Sequence, residues 1–278
     1  MFASVNKKFT YSLRAHNNGQ LEVFMEECLN LIPLIGDIAP SFHAVTTQGE
    51  INFPEDYCGK WIILFSHPAD FTPVCTTEFM TFATMMNEFK ALNTVLIGLS
   101  IDSLYSHIAW LRKIQELAWK DMKHVEVSFP VIEDIKMEIA RKYGMIHHNA
   151  STTQTVRAVF VIDPEGKIRA ILYYPLTTGR NMDEIKRLVI ALQKTDSEHV
   201  ATPANWMPGD DVIIPTPGSC GAAKERMNHH KENRYCLDWF LCFEQSNCKD
   251  ISNMDEPKEP ISIQAYPNRN RNNYRKNF

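Results

Sequence analysis

Residues 61–78 read WIILFSHPADFTPVCTTE, and this stretch decides the fold. The run from Trp61 to Phe65 is short, apolar and continuous, which is typical of a central strand covered on both faces. A Pro- and Thr-rich loop follows it, and a helical pattern then runs from Thr77 to Leu92. Cys75 therefore falls in the first turn of a helix, where free backbone N–H groups and the helix dipole favour the thiolate. A buried structural cysteine is the alternative, but the flanking Pro and Thr residues indicate a shaped loop rather than a core position.

Strands and helices alternate beyond this stretch. Two further apolar runs predict strands over Val95–Ser100 and Val156–Ile162, and a turn sequence then leads into a hairpin partner over Ile168–Tyr173. Helical patterns cover Ser103–Trp119, Ile135–Tyr143 and Met182–Gln193, the last with Asn181 and Glu184 as a capping box. The alternation predicts an α/β domain over residues 34–193, a mixed sheet flanked by helices, with the antiparallel hairpin at one edge of otherwise parallel pairing.

The regions on either side of this domain differ from it in composition. Residues 1–33 are predicted to be a flexible N-terminal extension. Residues 194–249 form a second, looser module, because Pro and Gly interrupt its would-be elements. Residues 250–278 are rich in Asn, Pro and Arg, which predicts a disordered tail.

Composition excludes several classes of protein. With 278 residues, 44% of them hydrophobic and 22% charged, the chain has the composition of a soluble globular protein. A net charge of -4 argues against a nucleic-acid binder, which needs a basic surface. No apolar run reaches the roughly 20 residues that span a bilayer, so no membrane partner is expected. We expect a cytoplasmic protein, with a mitochondrial location as the alternative suggested by the acid-poor start of the chain. Seven cysteines, an odd number, argue against a secreted disulfide framework.

The pattern Pro68-x-x-x-Thr72-x-x-Cys75 resembles the peroxiredoxin active-site signature within a thioredoxin-like fold. The similarity to the one-cysteine class of that family extends from about Leu34 to Cys242, and its motifs lie at residues 66–78, 153–157, 174–175, 178–181 and 202–210. The C-terminal segment with two cysteines resembles that of archaeal and some bacterial members.

This resemblance implies a peroxidase that reduces hydrogen peroxide or organic hydroperoxides without a cofactor. Cys75 would attack the peroxide and become a sulfenic acid. Pro68 would shield that acid from water, while Thr72 and the nearby backbone N–H groups would orient the peroxide. Arg157 would stabilise the thiolate and the developing negative oxygen. A thiol reductant such as thioredoxin is the implied second substrate.

Four positions receive weaker assignments. By itself, Arg157 at the start of a strand is more often a surface residue, and only the resemblance brings it to the site. His67 is a candidate for contacting the peroxide or the sulfur, with a packed or hydrogen-bonded side chain as the equal alternative. Glu78 and Arg180 resemble family positions that brace Arg157 and the loop.

The resemblance also implies a resolving thiol. In the related archaeal and bacterial proteins the first of two C-terminal cysteines has this role, so Cys236 is the candidate, as a disulfide with Cys75 of a partner subunit. The alternative is that Cys236 and Cys242 are buried hydrophobes or an accessory disulfide. Zinc bound by Cys220, Cys236, Cys242 and Cys248 is disfavoured, because these spacings are wider than those of structural zinc sites, and no metal is expected.

Other functions stay open at this point. A peroxide sensor or a chaperone-like assembly would not need catalytic turnover. A thioredoxin-like disulfide reductase is disfavoured because no Cys-x-x-Cys occurs at Cys75. The family implies a homodimer, and a ring of five dimers is the larger assembly that it allows.

Overall fold

A computed structural model describes residues 8–15, 21–28, 32–228 and 233–246. The strands are β1 Lys8–Ala15, β2 Leu21–Cys28, β3 Phe42–Thr46, β4 Gly49–Phe53, β5 Trp61–Ser66, β6 Thr94–Ser100, β7 Ala118–Trp119, β8 Met122–Lys123, β9 Val131–Glu133, β10 Arg157–Ile162, β11 Ile168–Tyr174, β12 Val212–Ile214, β13 Arg234–Asp238 and β14 Leu241–Glu244. The helices are α1 Pro73–Thr84, α2 Met86–Ala91, α3 Leu104–Glu116, α4 Glu138–Lys142, α5 Met182–Glu198 and α6 Cys220–Asn228. The chain divides into two compact units after Lys194.

The first unit is built on a seven-stranded mixed sheet in the order β11-β10-β5-β6-β9-β3-β4. All six residues of β5 are buried, because alternate side chains enter two separate cores. Ile63 and Phe65 join the core that includes side chains of α1, α3 and α5, while Ile62 and Leu64 join the opposite core with Tyr143. The sheet flanked by helices agrees with the predicted α/β, thioredoxin-like fold.

The pairing pattern corrects part of the prediction. Among the described strands of this sheet, only β5 with β6 and β6 with β9 are parallel. The predicted hairpin β10–β11 does form one edge, but β10 pairs antiparallel with β5. A second hairpin, β3–β4, forms the opposite edge and was missed. The buried positions of β3 are the small Ala44 and the polar Thr46, so the apolar alternation in that strand is weak.

The helices also differ in their limits. The helix predicted from Thr77 begins earlier, with Pro73 at its first position, and is interrupted at Met85 before α2. The Asn181 side chain accepts hydrogen bonds from the N–H groups of Asp183 and Glu184, as a capping box requires. The Glu184 carboxylate instead pairs with Arg187, so only half of that box forms.

The flanking regions contain more regular structure than predicted. The supposedly flexible extension contains the antiparallel hairpin β1–β2. The C-terminal unit has α6 and a three-stranded sheet in the order β12-β14-β13. Cys236 and Cys242 lie opposite each other in the β13–β14 ladder and are joined by a disulfide. The predicted disordered tail and Cys248 lie outside the described residues. Within the described ranges, no helix is long and apolar enough to cross a bilayer.

Candidate active site

The loop from β5 into α1 sets the position of Cys75. Thr72 precedes the helix in an extended conformation, and Cys75 is the third helical residue. The Thr72 hydroxyl donates to the Ala69 carbonyl at 2.8 Å, which leaves its oxygen free to accept. Pro68 is buried, and so is Cys75, yet Phe71 in the loop between them is exposed. Cys75 thus lies in the first turn of a helix, as predicted, but its side chain is fully buried within the hydrophobic core on the α1 side of the sheet, so the expectation that it is not a core position is wrong.

Arg157 lies directly against the thiol. Its Nη1 donates to Cys75 Sγ at 3.3 Å and to Glu78 Oε2 at 2.8 Å. Its Nε and Nη2 both donate to the Leu176 carbonyl, at 3.0 and 2.7 Å. Because the side chain is only 2% exposed, the surface-arginine interpretation is wrong. The guanidinium is held in one orientation from three sides.

Glu78 lies between two arginines. Arg180 reaches it with its backbone N–H, Nε and Nη2, at 2.8, 3.0 and 2.6 Å, and Arg157 supplies the fourth bond. Burial alone would raise the pKa of Glu78, but the charges and hydrogen bonds of Arg180 and Arg157 outweigh burial and hold that pKa below its ordinary value. Arg180 also donates to the carbonyls of Ser66 and Ala158, which ties Glu78 to the edges of β5 and β10.

The charges of this buried group favour a thiolate. Arg157 and Arg180 contribute two positive charges and Glu78 one negative charge. With a neutral thiol the group would carry one uncompensated positive charge, whereas a Cys75 thiolate makes it neutral. Since an unpaired buried charge is costly, the surroundings stabilise the anionic sulfur, the form that attacks electrophiles.

A second buried polar cluster begins at His67. Its Nε2 lies 3.0 Å from Asp70 Oδ1, and His107 Nδ1 lies 2.8 Å from Asp70 Oδ2. The His67 ring packs on Phe79 and Trp110, with ring centroids 4.7 and 5.1 Å away, and its Nδ1 has no hydrogen-bond partner in the described part of the chain. Burial alone would raise the pKa of Asp70, but the two histidines outweigh burial and hold that pKa far below its usual range.

The donor atoms of His67, Asp70 and His107 lie within 4.8 Å of one another, so they are also the kind of set that holds a metal ion. They already satisfy each other by hydrogen bonds, however. Sequence reasoning missed both Asp70 and His107. The signal for His107 was its place on the apolar face of a helix, three and seven residues before the buried Trp110 and Ile114.

Four other cysteines, whose side chains the structure describes, fall into two groups. Cys236 and Cys242 form the hairpin disulfide, as the accessory-disulfide alternative anticipated. Cys58 and Cys220 are exposed free thiols, and Cys220 is the first residue of α6. Among the described cysteines, Cys75 is the buried free thiol that contacts an arginine.

Two family models match the chain. Residues 35–171 match the AhpC/TSA family, and residues 191–228 match the C-terminal domain of 1-Cys peroxiredoxin. A peroxiredoxin of Methanosarcina mazei is 68% identical over 219 residues, which are 78% of this chain and the whole of that protein. The chain belongs to the peroxiredoxin family. It is accordingly a thiol peroxidase, and the signature that contains Cys75 lies within the matched residues.

Other relatives agree with this assignment. A peroxiredoxin of Aquifex aeolicus is 52% identical over 221 residues, covering 76% of this peroxiredoxin and 96% of that protein. Among solved structures, a yeast mitochondrial 1-Cys peroxiredoxin is 43% identical with a TM-score of 0.64, and the match covers 77% of this chain and 99% of the other. Peroxiredoxin 6 of Arenicola marina, solved as a cysteine-to-serine mutant, is 32% identical with a TM-score of 0.67 over the same shares of the two chains.

Proposed function

We propose that this peroxiredoxin reduces hydrogen peroxide and organic hydroperoxides through a sulfenic acid on Cys75. The Cys75 thiolate attacks one peroxide oxygen, the O–O bond breaks, and the other oxygen leaves as hydroxide or alkoxide and takes up a proton to give water or an alcohol. The observation that carries this proposal is the 3.3 Å contact between Arg157 Nη1 and Cys75 Sγ inside a buried group that is neutral only with a thiolate.

The neighbouring groups have distinct tasks in this scheme. The Thr72 oxygen accepts a hydrogen bond from the peroxide, since its own hydrogen is directed at Ala69. The N–H groups of Arg157 stabilise negative charge as it develops on the leaving oxygen. Buried Pro68 limits the access of water to the sulfenic acid.

We further propose that Cys236 of a partner subunit resolves the sulfenic acid. Its thiolate displaces the hydroxyl group from the Cys75 sulfur, which gives a disulfide and, with a proton, water. In the hairpin disulfide with Cys242, Cys236 is not a thiol, so a reductant must open that bond before Cys236 can attack. The yeast mitochondrial relative has a thiol resolving mechanism that uses glutathione and thioredoxin systems, which supports a thiol reductant such as thioredoxin here.

The same scheme requires a homodimer. The C-terminal unit exposes large apolar side chains at the β13–β14 turn, with Leu237 70%, Trp239 46% and Phe240 48% exposed. A contiguous apolar surface of this kind favours association. A second copy of the chain is the proposed partner, and a ring of five dimers is the larger assembly.

The test is peptide-mapped mass spectrometry on fully reduced protein after about one equivalent of hydrogen peroxide. We expect a Cys75–Cys236 disulfide and a covalent dimer on a non-reducing gel. Cys236→Ser should abolish that dimer, while Cys220→Ser, which removes an exposed thiol of the same unit, should retain it. A dimer unchanged in Cys236→Ser would refute the resolving role, and an unmodified Cys75 would refute the peroxidase chemistry.

Measuring whether peroxide is consumed over many cycles distinguishes a peroxidase from the two alternative functions. A peroxidase consumes peroxide continuously when a thioredoxin system regenerates the thiols. A peroxide sensor or a chaperone-like assembly would stop after roughly one equivalent.

A further inference from the structure

Ser66 is a polar residue at the end of an otherwise apolar strand. It follows the run Trp-Ile-Ile-Leu-Phe of β5 and is fully buried. Burying a hydroxyl group is costly unless it is hydrogen-bonded, so its partners indicate its role. The Ser66 hydroxyl donates to the Val156 carbonyl at 2.6 Å and accepts from the Ala158 N–H at 3.1 Å. One hydroxyl group thus contacts the main chain on both sides of Arg157.

The main chain bends where this hydroxyl binds it. The Ala158 N–H also donates to the Val156 carbonyl, at 3.1 Å. A hydrogen bond between residues two apart closes a three-residue turn, and Arg157 is the central residue of this turn. The Ser66 hydroxyl bridges the two ends of the turn. Because a side chain extends from its own main chain, Ser66 helps to set the direction in which the Arg157 guanidinium points.

The Ser66 hydroxyl also continues the link between β5 and β10 beyond the end of their ladder. The last pair of that ladder is Phe65 with Val159, and Ser66 with Ala158 would be the next pair in the same register. The carbonyls of Ser66 and Ala158 both accept from Arg180 Nη1 instead, at 3.0 and 3.1 Å. A hydroxyl and a guanidinium thus take the place of main-chain pairing next to the reactive-site arginine.

Thr155 supplies a second hydroxyl of the same kind. Its side chain is fully buried, and its Oγ1 donates to the main-chain carbonyl of His67 at 2.7 Å. Thr155 lies two residues before Arg157, and His67 directly follows Ser66 in the chain. This bond therefore fastens the segment that leads into β10 to the end of β5. Together the two hydroxyls hold the main chain before and after Arg157.

The contact between Arg157 and Cys75 depends on where both ends of the arginine are held. The guanidinium end is held by Glu78 and by the Leu176 carbonyl. Its main-chain end is held by the two hydroxyls. A hydrogen bond weakens steeply as its length and angle depart from the optimum, so a small shift of either end would weaken the 3.3 Å contact between Arg157 Nη1 and Cys75 Sγ.

We propose that Ser66 and Thr155 are positioning residues, whose hydroxyl groups fasten β10 to the end of β5 so that Arg157 Nη1 stays against the Cys75 sulfur. Both act through Arg157. This inference rests on the proposed function, because the reaction that the arrangement serves is the attack of Cys75 on a peroxide.

The test removes each hydroxyl and reads Cys75 of the fully reduced protein in two ways. Stopped-flow measurement gives the rate constant for oxidation by hydrogen peroxide. Peptide-mapped mass spectrometry gives the pH profile of Cys75 alkylation by iodoacetamide. We expect Ser66→Ala and Thr155→Val each to lower the oxidation rate constant by about tenfold. The alkylation profile should move to higher pH by about half a unit or more, because a displaced arginine stabilises the thiolate less.

Two control variants separate positioning from a general loss of stability. Thr155→Ser keeps the hydroxyl, so its oxidation rate constant should stay within about threefold of the native value and its alkylation profile should not move. Thr94→Val makes the same change as Thr155→Val at another buried threonine, whose hydroxyl donates to the Leu92 carbonyl. Thr94 lies opposite Trp61, at the other end of the β5–β6 pair from Ser66, so both readouts should stay native.

Native values of both readouts in folded Ser66→Ala and Thr155→Val would overturn the proposal. Equal slowing in Thr155→Ser and Thr155→Val, or the same slowing in Thr94→Val, would also overturn it, because the loss of a hydroxyl next to Arg157 would not be the cause. If Ser66→Ala does not fold, the Thr155 variants decide. If Cys75 of the unsubstituted protein were alkylated but did not react with peroxide, the proposed function would fail, whereas the alkylation profiles would still decide the positioning roles.

Discussion

The Arg157 side chain does more than supply a positive charge at Cys75. Its planar group binds the sulfur, Glu78 and the Leu176 carbonyl at the same time. A lysine at this position keeps the charge but has one nitrogen and cannot hold all three partners. We expect Arg157→Lys to lower the rate constant for Cys75 oxidation by about 100-fold, the effect of losing one well-placed donor to a developing oxyanion.

Stopped-flow measurement of the oxidation of reduced protein tests this prediction. Arg141→Lys, an exchange of the same two residue types at an exposed position, is the control and should react at the native rate. A native rate in Arg157→Lys as well would mean that the positive charge of Arg157 is enough for fast oxidation of Cys75 and that its planar geometry is not needed.

Thr72 offers a closer test because its hydroxyl can be removed without changing the shape of the side chain. The hydroxyl hydrogen is directed at Ala69, so the oxygen presents lone pairs to a peroxide. We expect Thr72→Val to slow oxidation by about tenfold to 100-fold, and Thr72→Ser, which keeps the hydroxyl, to stay within about threefold of the native rate. Equal slowing in both variants would assign the methyl group, not the hydroxyl, to the function.

The sequence could predict the part of the site that is local in the chain. The predicted strand, the loop with its Pro and Thr residues, and Cys75 all lie within 18 residues. Their order along the chain is enough to place the thiol at the start of a helix. Arg157 lies 82 residues from Cys75, and only the family resemblance brought it to the site. Asp70 and His107 are joined across 37 residues, and no local pattern marks their contact.

Among the elements, those buried on both faces were the most predictable. β5 and β10 have only buried residues, and such strands appear in the sequence as continuous apolar runs. β9 has three residues and β3 has exposed alternate positions, so neither presents a run long enough to recognise. Pairing with neighbouring strands inside the sheet decides whether these two strands form, and a periodicity argument does not contain that information.

The β13–β14 hairpin is cross-linked by a disulfide, so its order should depend on redox state. The Cys236–Cys242 disulfide closes a loop with a sequence separation of 6. A cross-link over so short a loop removes chain entropy worth about 2 kcal/mol from the opened hairpin. We therefore expect reduction to increase amide hydrogen exchange in β13 and β14 by about 30-fold, while the β10–β11 hairpin is unaffected.

Exchange measured by mass spectrometry with and without reductant tests this expectation. Cys242→Ser should show the faster exchange under both conditions. Equal protection in the oxidised and reduced protein would mean that the disulfide does not hold the hairpin. The reduced hairpin is also the form in which Cys236 is a free thiol, as the proposed resolving role requires.

For the whole molecule, three buried groups tie folding to pH in the same direction. His67, Glu78 and Asp70 have pKa values held below their ordinary values of 6.5, 4.5 and 3.8. As the pH falls, the unfolded chain binds protons before the folded one does, so each group stabilises the fold above its unfolded pKa and loses that contribution below it. Asp134 acts in the opposite sense, because burial raises its pKa. Because three buried groups have a lowered pKa and Asp134 alone among the four has a raised one, we expect acid to lower the free energy of unfolding.

We expect the free energy of unfolding to begin to fall below about pH 6.5, where His67 takes up a proton in the unfolded chain, and to fall more steeply below about pH 4.5 as Glu78 and Asp70 follow. Urea denaturation between about pH 7 and about pH 3 measures this. Asp70→Asn should have a shallower acid decline, because an amide binds no proton in either state. Asp121→Asn, at an exposed position, should follow the native curve. An identical acid decline in Asp70→Asn and in the native chain would show that the buried carboxylate cluster does not couple folding to pH.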